Sequence, residues 1–589
     1  MEKYKVVIAI DFGSSGSGFS YSFYDEKRVI PGEIKGSNVN NKIPTEIILE
    51  EKNLNQYEVA EWGAGCSKYL KKKNKIDLPI HYFKDIKMNL YEHKSFISSK
   101  NSNLELPIEF IIQKFLEELK NLAFKKIIEK KPGIKDKDIK WVVTVPAIWN
   151  NYEKSIMMTA CINAKLVDEN TDKSLFFALE PEAASIYCFK NQEIEQDFFQ
   201  KGKYYIICDL GGGTGDIVTH LVGENEKLEE IESATGGDYG SNKINKRVYK
   251  DIIYKIFEID NFNDFYKIYK KRREKAKKEV ESLGILYSKW FELERQINDF
   301  KEDTTLENVE EKELFPLNLS LFKGIYEKNE DIEKLINKYN KFCFEDDLKL
   351  EISSKENWIV FFPYKIIYNY IKEQAFSISK EIRLILLKSS KKKIDTIILV
   401  GGYCENDVLI SLIETNLPEI NYFLKPSYPC LAVMQGAVIF GIKSDIINIR
   451  KAKFTIGVNT SELWDEKIHG NNVEKSLDNK NQLRVYNIFG KFVEKGQNLE
   501  FGKIITKSFT MLGPQKVTFD IYKTEKLKPK FVTEEGMIKI GKLTLDTGRK
   551  NDENDRDIET SMKFGGTYLQ FKSKHLKTGK EIATILKFV

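Results

Sequence analysis

One device occurs twice in this chain and limits its architecture more than any other feature. Residues 7–16 read Val-Ile-Ala-Ile-Asp-Phe-Gly-Ser-Ser-Gly, and residues 206–215 read Ile-Ile-Cys-Asp-Leu-Gly-Gly-Gly-Thr-Gly. Each is an apolar run that ends on an aspartate, Asp11 or Asp209, and turns through glycine. The apolar pattern resumes at Phe19–Tyr24 and at Ile217–Val222. Apolar run, glycine turn, apolar run is the signature of two antiparallel strands joined by a tight loop. A repeated unit of this kind implies two similar lobes.

The chemistry follows from the same residues. A phosphate is held by several backbone N–H groups in a concave turn, which glycine permits because it lacks a Cβ and tolerates positive φ. Gly13, Ser14, Ser15 and Gly16 form the first candidate loop, and Gly211, Gly212, Gly213 and Thr214 the second. Their hydroxyls add donors. Asp11 and Asp209 end their strands where a hydrated Mg²⁺ would sit, held through water because magnesium gives up its shell reluctantly. A glycine turn after one strand is most often only a turn; two matched copies point to a phosphate cleft. Glu180, in Leu-Glu-Pro-Glu-Ala-Ala (179–184), could orient an attacking water. Gly401 and Gly402 follow the apolar run Thr396–Val400 and would let backbone approach a base or ribose, or simply end a strand. Ala234–Ser241, with Gly236, Gly237 and Asp238, reads as a further glycine turn entering a helix whose N-terminus favours phosphate.

The 589 residues exceed what one core serves, and 31% are charged with a net of only +5. That balance argues against a dedicated nucleic-acid binder. The basic run Lys267–Lys278 fits a solvated helix face, or else a partner or nucleic-acid patch. Seven cysteines are dispersed without a C-x-x-C pair, which fits reduced thiols in a cytoplasmic protein. Five histidines argue against a multi-histidine metal site. The apolar stretches are strand-length, so no membrane contact is expected, and the first residues lack the features of a signal peptide.

Along the chain, Pro107 opens a helix to about Glu129, and Trp141–Val145 is a buried strand. Residues 243–357 read as a charged helical insertion, and Phe361–Ser389 as a long helix. After about Lys443 short alternating strands appear, with turns expected at Gly490, Gly496, Gly502, Gly513, Gly536, Gly541 and Gly565-Gly566. The chain closes on the strand-like Ala583–Val589, which leaves no room for a helical lid.

In this order, the segments resemble the heat shock 70 kDa protein family, within the superfamily of actin, hexokinase and chaperone ATPases. The details look most like its divergent branch, heat shock 70 kDa protein 12 (A/B). Val143–Trp149, Glu180–Ala184, Met434–Gly441, Arg450–Gly457 and Phe564–Tyr568 carry the likeness. It is dense over residues 5–245 and 395–460, thin between them and weak to the C-terminus.

The resemblance implies an α/β fold: a two-lobed actin-like ATPase of duplicated ribonuclease H-like lobes, followed by a mainly β C-terminal domain. Residues 1–445 would bind nucleotide, with lobe I at about 1–200 and lobe II at about 201–395, carrying an insertion at 243–360 and returning to the core at 395–445. Residues 446–589 would bind a polypeptide client; co-chaperones are not specified. ATP or ADP and Mg²⁺ are the implied cofactors. Asp11 and Asp209 would serve the metal, Glu180 the attacking water, and Thr214 and Ser14 the γ-phosphate. The catalytic lysine would be Lys87, or alternatively Lys84. Gly401 and Gly402 would flank adenosine.

Departures accompany the likeness. The family's Glu-x-x-Lys-Arg adenine clamp is replaced by Asn298-Asp-Phe-Lys301-Glu302, leaving Lys301 as its counterpart. Tyr403 stands where a small hydroxyl residue is usual, and Glu405 where a basic residue would stack on adenine. The apolar interdomain linker is replaced by Asp445–Lys453, whose Asn448 and three cations would dock poorly in an apolar groove. The leading expectation is a slow chaperone-like ATPase. The alternatives are a nucleotide-regulated scaffold with little or no ATPase, and a small-molecule kinase, for which no acceptor pocket is legible.

Overall fold

The structure, a computed structural model, describes residues 4–26, 28–34, 41–72, 79–166, 175–190, 194–276, 278, 280–281, 283–326, 329–353, 358–471, 473–478, 481–512, 515–548, 556–564 and 569–585. Gly513, the Gly565–Tyr568 part of the C-terminal motif and the last residues of Ala583–Val589 lie outside them.

Both repeats form the hairpins that their patterns require. Val6–Asp11 pairs antiparallel with Gly16–Phe23, and Tyr204–Leu210 with Gly215–Val222. Each sits in its own mixed sheet. In the first, Leu175–Leu179, Ile139–Val145 and Val6–Asp11 run parallel side by side, and the hairpin continues to Ile30–Pro31. In the second, Tyr422–Leu424 and Ile394–Val400 run parallel to Tyr204–Leu210, and Leu228–Gly237 follows the hairpin on its far side. The central strands Val6–Asp11, Ile139–Val145, Tyr204–Leu210 and Ile394–Val400 are buried on both faces, which explains their apolar runs.

Helix Ile108–Lys130 buries Ile111, Phe115, Leu119 and Ile127 against the first sheet, and Pro107 precedes its first turn. Helices Glu180–Lys190 and Ala432–Ile442 cross closely. A Cβ on Gly436 would run into the Ala183 backbone carbonyl, so the small residues of Glu-Pro-Glu-Ala-Ala and Met-Gln-Gly-Ala serve this contact.

The insertion is not purely helical. Leu314–Asn318, Ile359–Pro363 and Glu351–Ile352 form a small antiparallel sheet. The long helix is therefore Tyr364–Lys388; the expected start at Phe361 falls in a strand, where alternating Val360 and Phe362 are buried. The basic run lies on helix Phe262–Lys275, with Phe265 and Tyr269 turned inward.

Beyond residue 455, a five-stranded and a four-stranded antiparallel sheet share one apolar core that includes Val458, Phe492, Phe519, Ile558 and Phe571. Gly496, Gly502 and Gly536 take positive φ in turns. Gly490 and Gly541 instead lie inside strands Leu483–Val493 and Ile538–Asp546.

The linker also differs from expectation. Ile447–Lys451 joins the seven-stranded sheet, parallel to Leu228–Gly237, and Asn498–Glu500 pairs on its other side as the edge strand. The sequence boundary after residue 445 thus precedes a strand that joins the second sheet. Docking is polar rather than apolar. Arg450 Nε donates to Glu182 Oε1 at 2.7 Å and its second amine to Oε2 at 2.5 Å, both residues buried, and the Lys451 N–H donates to Glu230 Oε2 at 2.9 Å. A bidentate guanidinium–carboxylate pair satisfies the charge that an apolar groove would reject.

Candidate functional site

The loops of the two hairpins face each other. Asn242 Nδ2 donates to Ser15 Oγ at 2.9 Å, bridging the first loop to the helix start behind the second. A Cβ on Gly212 would strike Ser15 Oγ, and one on Gly213 would strike Ser14 Oγ. The glycines of the second loop therefore allow the approach of the first. Thr45 Oγ1 donates to the Gly13 carbonyl at 2.7 Å and the Thr45 N–H to Ser15 O at 3.1 Å, fixing the first turn. The Gly211 N–H closes the second turn on Thr214 O at 3.0 Å.

Between the loops lies a cavity of about 540 Å³. Asp11, Gly13, Ser14, Ser15, Gly16, Lys87, Glu180, Asp209, Gly211, Gly212, Gly213, Thr214, Lys301, Gly401, Gly402 and Tyr403 all line it, so six separate stretches named from the sequence meet in one place. Gly236, Gly237 and Asp238 do not line it. Gly236 and Gly237 end strand Leu228–Gly237 and pair with Asp216 and Gly215, while Asp238 faces Lys243 at 3.2 Å. The expected phosphate turn there is strand; Ser241 and Asn242, a few residues on, reach the cavity. Lys84 is also elsewhere, ion-paired with Glu294.

Among the lining residues that were not singled out from the sequence, Lys42, Asp216 and Asn242 carry polar side chains. Lys42 Nζ lies 2.6 Å from Asp11 Oδ2, and Thr144 Oγ1 donates to Asp11 Oδ1 at 2.7 Å. Lys42 belongs to Lys-Ile-Pro-Thr, where nothing local signals a site. Asp216 immediately follows the second glycine loop, a position that could have flagged it. Its Oδ1 accepts the Ile148 N–H at 2.9 Å.

Asp11, Glu180, Asp209 and Asp216 thus share one cavity with Lys42 and Lys87. Lys87 Nζ donates to Glu180 Oε1 at 2.5 Å. Burial, the largest influence, raises the Glu180 carboxyl well above its ordinary value. Lys87 opposes this, and Asp11, Asp209 and Asp216 reinforce it. Asp209 is likewise raised by burial, then by Asp216 and Asp11, against Lys42 and Lys87. Burial would raise Asp11 too, but the charges of Lys42 and Lys87 and the bonds from Lys42 and Thr144 outweigh it and hold Asp11 low.

At the other end, Gly401 takes φ +90, and a Cβ there would sit 2.6 Å from Asp209 Oδ1, so only glycine lets this turn pass the carboxylate. Tyr403 is buried, its hydroxyl donating to Gln374 Oε1 at 2.7 Å. Lys301 Nζ donates to Asn298 Oδ1 at 2.8 Å, and burial pushes its ammonium down to about 8 against the charge of Glu302.

No protein-family model matches the chain. Over its whole length it is 26% identical to heat shock 70 kDa protein 12A of Homo sapiens, covering 92% of that protein. It matches the Mus musculus protein of the same name at the same identity and coverage. Heat shock 70 kDa protein 12B of Homo sapiens is 22% identical across the whole chain and 91% of its own length. The resemblance read from the motifs is thus shared end to end with the divergent 12A/12B relatives, including the stretch between residues 245 and 395 where the motifs were thin. Among the described residues, no helix is long and apolar enough to cross a membrane.

Proposed function

We propose that the chain is a slow, Mg²⁺-dependent, chaperone-like ATPase with a two-lobed actin-like nucleotide-binding unit over residues 1–445. Lobe I spans about 1–200 and lobe II about 201–395, with the insertion at 243–360 and a return at 395–445. The β region of 446–589 binds polypeptide in the cytoplasm. The observation that carries the reading is the convergence of Asp11, Asp209, Glu180 and Lys87 between two facing glycine loops.

The residues fit magnesium nucleotide. Glu180 and Asp209, each raised by burial and by neighbouring carboxylates against the charges of Lys42 and Lys87, form a place where added positive charge is favourable. Among the described residues, no group of three or more His, Cys, Asp or Glu is arranged to hold an ion alone, so Asp11 and Asp209 would share it with phosphate oxygens and water. The ion would supply neutralisation of phosphate charge. Backbone N–H groups of both loops, with Ser14 and Thr214, bind the phosphates. Lys87 places an ammonium beside the transferred group and holds Glu180, which accepts a hydrogen bond from the attacking water and orients it. Gly401 and Gly402 admit the adenosine, and Lys301 stands beside it.

Polypeptide binding is supported by apolar side chains left exposed at one end of the five-stranded sheet. Leu477 faces Leu483 across the strands, and Leu463 is paired with Arg484. Release of γ-phosphate by the full chain, compared with Asp209→Asn, tests the site. A drop of about 100-fold is expected for loss of a group that positions the metal; equal rates would remove the cavity from consideration.

A further inference from the structure

A second, larger cavity opens from the phosphate end of the first. Its volume is about 1150 Å³, and Ser14, Ser15 and Asn242 belong to both walls. One side comes from residues 84–100. The other comes from the helical stretch that begins at Asn242 and from helix Leu283–Glu302.

The helical stretch changes pitch within this wall. Tyr249–Ile253 is a π turn between α-helical segments Asn242–Val248 and Tyr254–Phe257. Lys246 and Lys250 are one α turn apart; the wider turn then brings Lys255, five residues on, to the same side. All three lysines are exposed and line the cavity, and none forms an ion pair within 4.0 Å with a described residue. The acids opposite are largely engaged: Asp85 with Lys100 at 3.1 Å, Glu294 with Lys84, and Glu258 with Lys338 at 2.6 Å. Glu46 and Asp260 line the cavity as well, and the three lysines form a row that faces it without an ion pair to a described residue.

Beneath that row the rings of Tyr249 and Trp290 stack, with centroids 5.5 Å apart and planes 12° apart. Two lining residues, Asn245 and Tyr249, carry buried oxygens, Oδ1 and the hydroxyl, with no hydrogen-bond partner among the described residues. Tyr249 is itself 8% exposed. Buried polar atoms without partners are rare in folded proteins and mark places where a partner is missing. The rest of the wall is rich in amide and hydroxyl side chains, including Asn89, Ser99 and Asn261, which suit hydroxyl recognition.

We propose that this cavity binds a small, hydroxylated anion of the sugar-phosphate class, with its phosphate on Lys246, Lys250 and Lys255. The site stands on its own walls and does not require the nucleotide reading. Its contact with the phosphate loops places that ligand beside whatever the first cavity holds.

The test is calorimetric titration of the full chain with ribose 5-phosphate, glucose 6-phosphate and inorganic phosphate, with and without ADP and Mg²⁺. Saturable binding of at least one sugar phosphate, tighter than inorganic phosphate, is expected. It should persist with ADP present and change Trp290 fluorescence. The double variant Lys246→Ala/Lys250→Ala should weaken it about tenfold or more, while Lys516→Ala on the C-terminal sheet leaves it unchanged. Both replaced lysines are exposed, so folding is retained. No saturable heat from any of the three probes, or equal affinity in the double variant, would overturn the proposal.

Discussion

The two hairpins share a backbone plan but hold their aspartates in opposite electrostatic states. Asp11 gives one oxygen to Lys42 and the other to Thr144, and its carboxyl is held low. Asp209 lies in an equivalent strand, yet burial and then the charge of Asp216 act on it most strongly, and its carboxyl is pushed up. The repeated pattern sets where each carboxylate sits. Its charge is set by residues from elsewhere in the chain, Lys42 and Thr144 for one, Asp216 and Asp11 for the other.

The strongest way to break this comparison is to remove the lysine. Lys42→Met leaves Asp11 buried and short of its closest cation, and should destabilise the chain by about 4 kcal/mol in denaturant titration. A loss below about 1 kcal/mol would mean that Asp11 does not depend on Lys42.

A third buried carboxyl, Glu46, extends the contrast. Burial pushes it up to about 7, against the hydrogen bond from Tyr82 and the charge of Lys84, with Glu294 and Asp85 adding to the rise. A carboxyl whose folded value exceeds its ordinary 4.5 binds more protons folded than unfolded. Stability therefore falls as pH rises from about 4.5 to about 7, by about 3 kcal/mol for this group. Glu46→Gln should flatten that slope when Tm is followed against pH; an unchanged slope would place the titration elsewhere.

The smallest expected effect has the opposite sign. Asp209→Asn relieves repulsion with Asp216 and Asp11 and should stabilise the metal-free chain at pH 8 by about 2 kcal/mol, while turnover falls. Asp11→Asn should destabilise instead, because Lys42 loses its carboxylate. Equal shifts of the same sign in the two variants would erase the difference between the hairpins.

Much of the cleft was legible because its parts are local: an apolar run, an aspartate and glycines within ten residues announce both strand and loop. Glu180 and Gly401 were read from their local acid, proline and glycine patterns and Lys87 through the family likeness, and all three line one cavity. Lys42 was not legible, because its importance arises only when Ile43–Pro44 pairs with Gly16–Ser17 and carries it to Asp11. Gly236 and Gly237 misled, since a glycine pair reads as a turn but here continues a strand against Gly215. The linker misled for a related reason. Its charge looked incompatible with docking until Glu182, more than 250 residues away, supplied the partner. The second cavity had no sequence signal at all, since its walls come from separate segments and its lysines look like any solvated helix face.

The most direct test of the facing-loop account is calorimetric titration of ATP into the full chain with and without Mg²⁺, alongside Asp209→Asn. The account predicts one saturable site in the parent chain, strengthened by Mg²⁺, with that strengthening reduced about tenfold or more in the variant. No saturable ATP binding, or an affinity indifferent to both Mg²⁺ and Asp209, would contradict it.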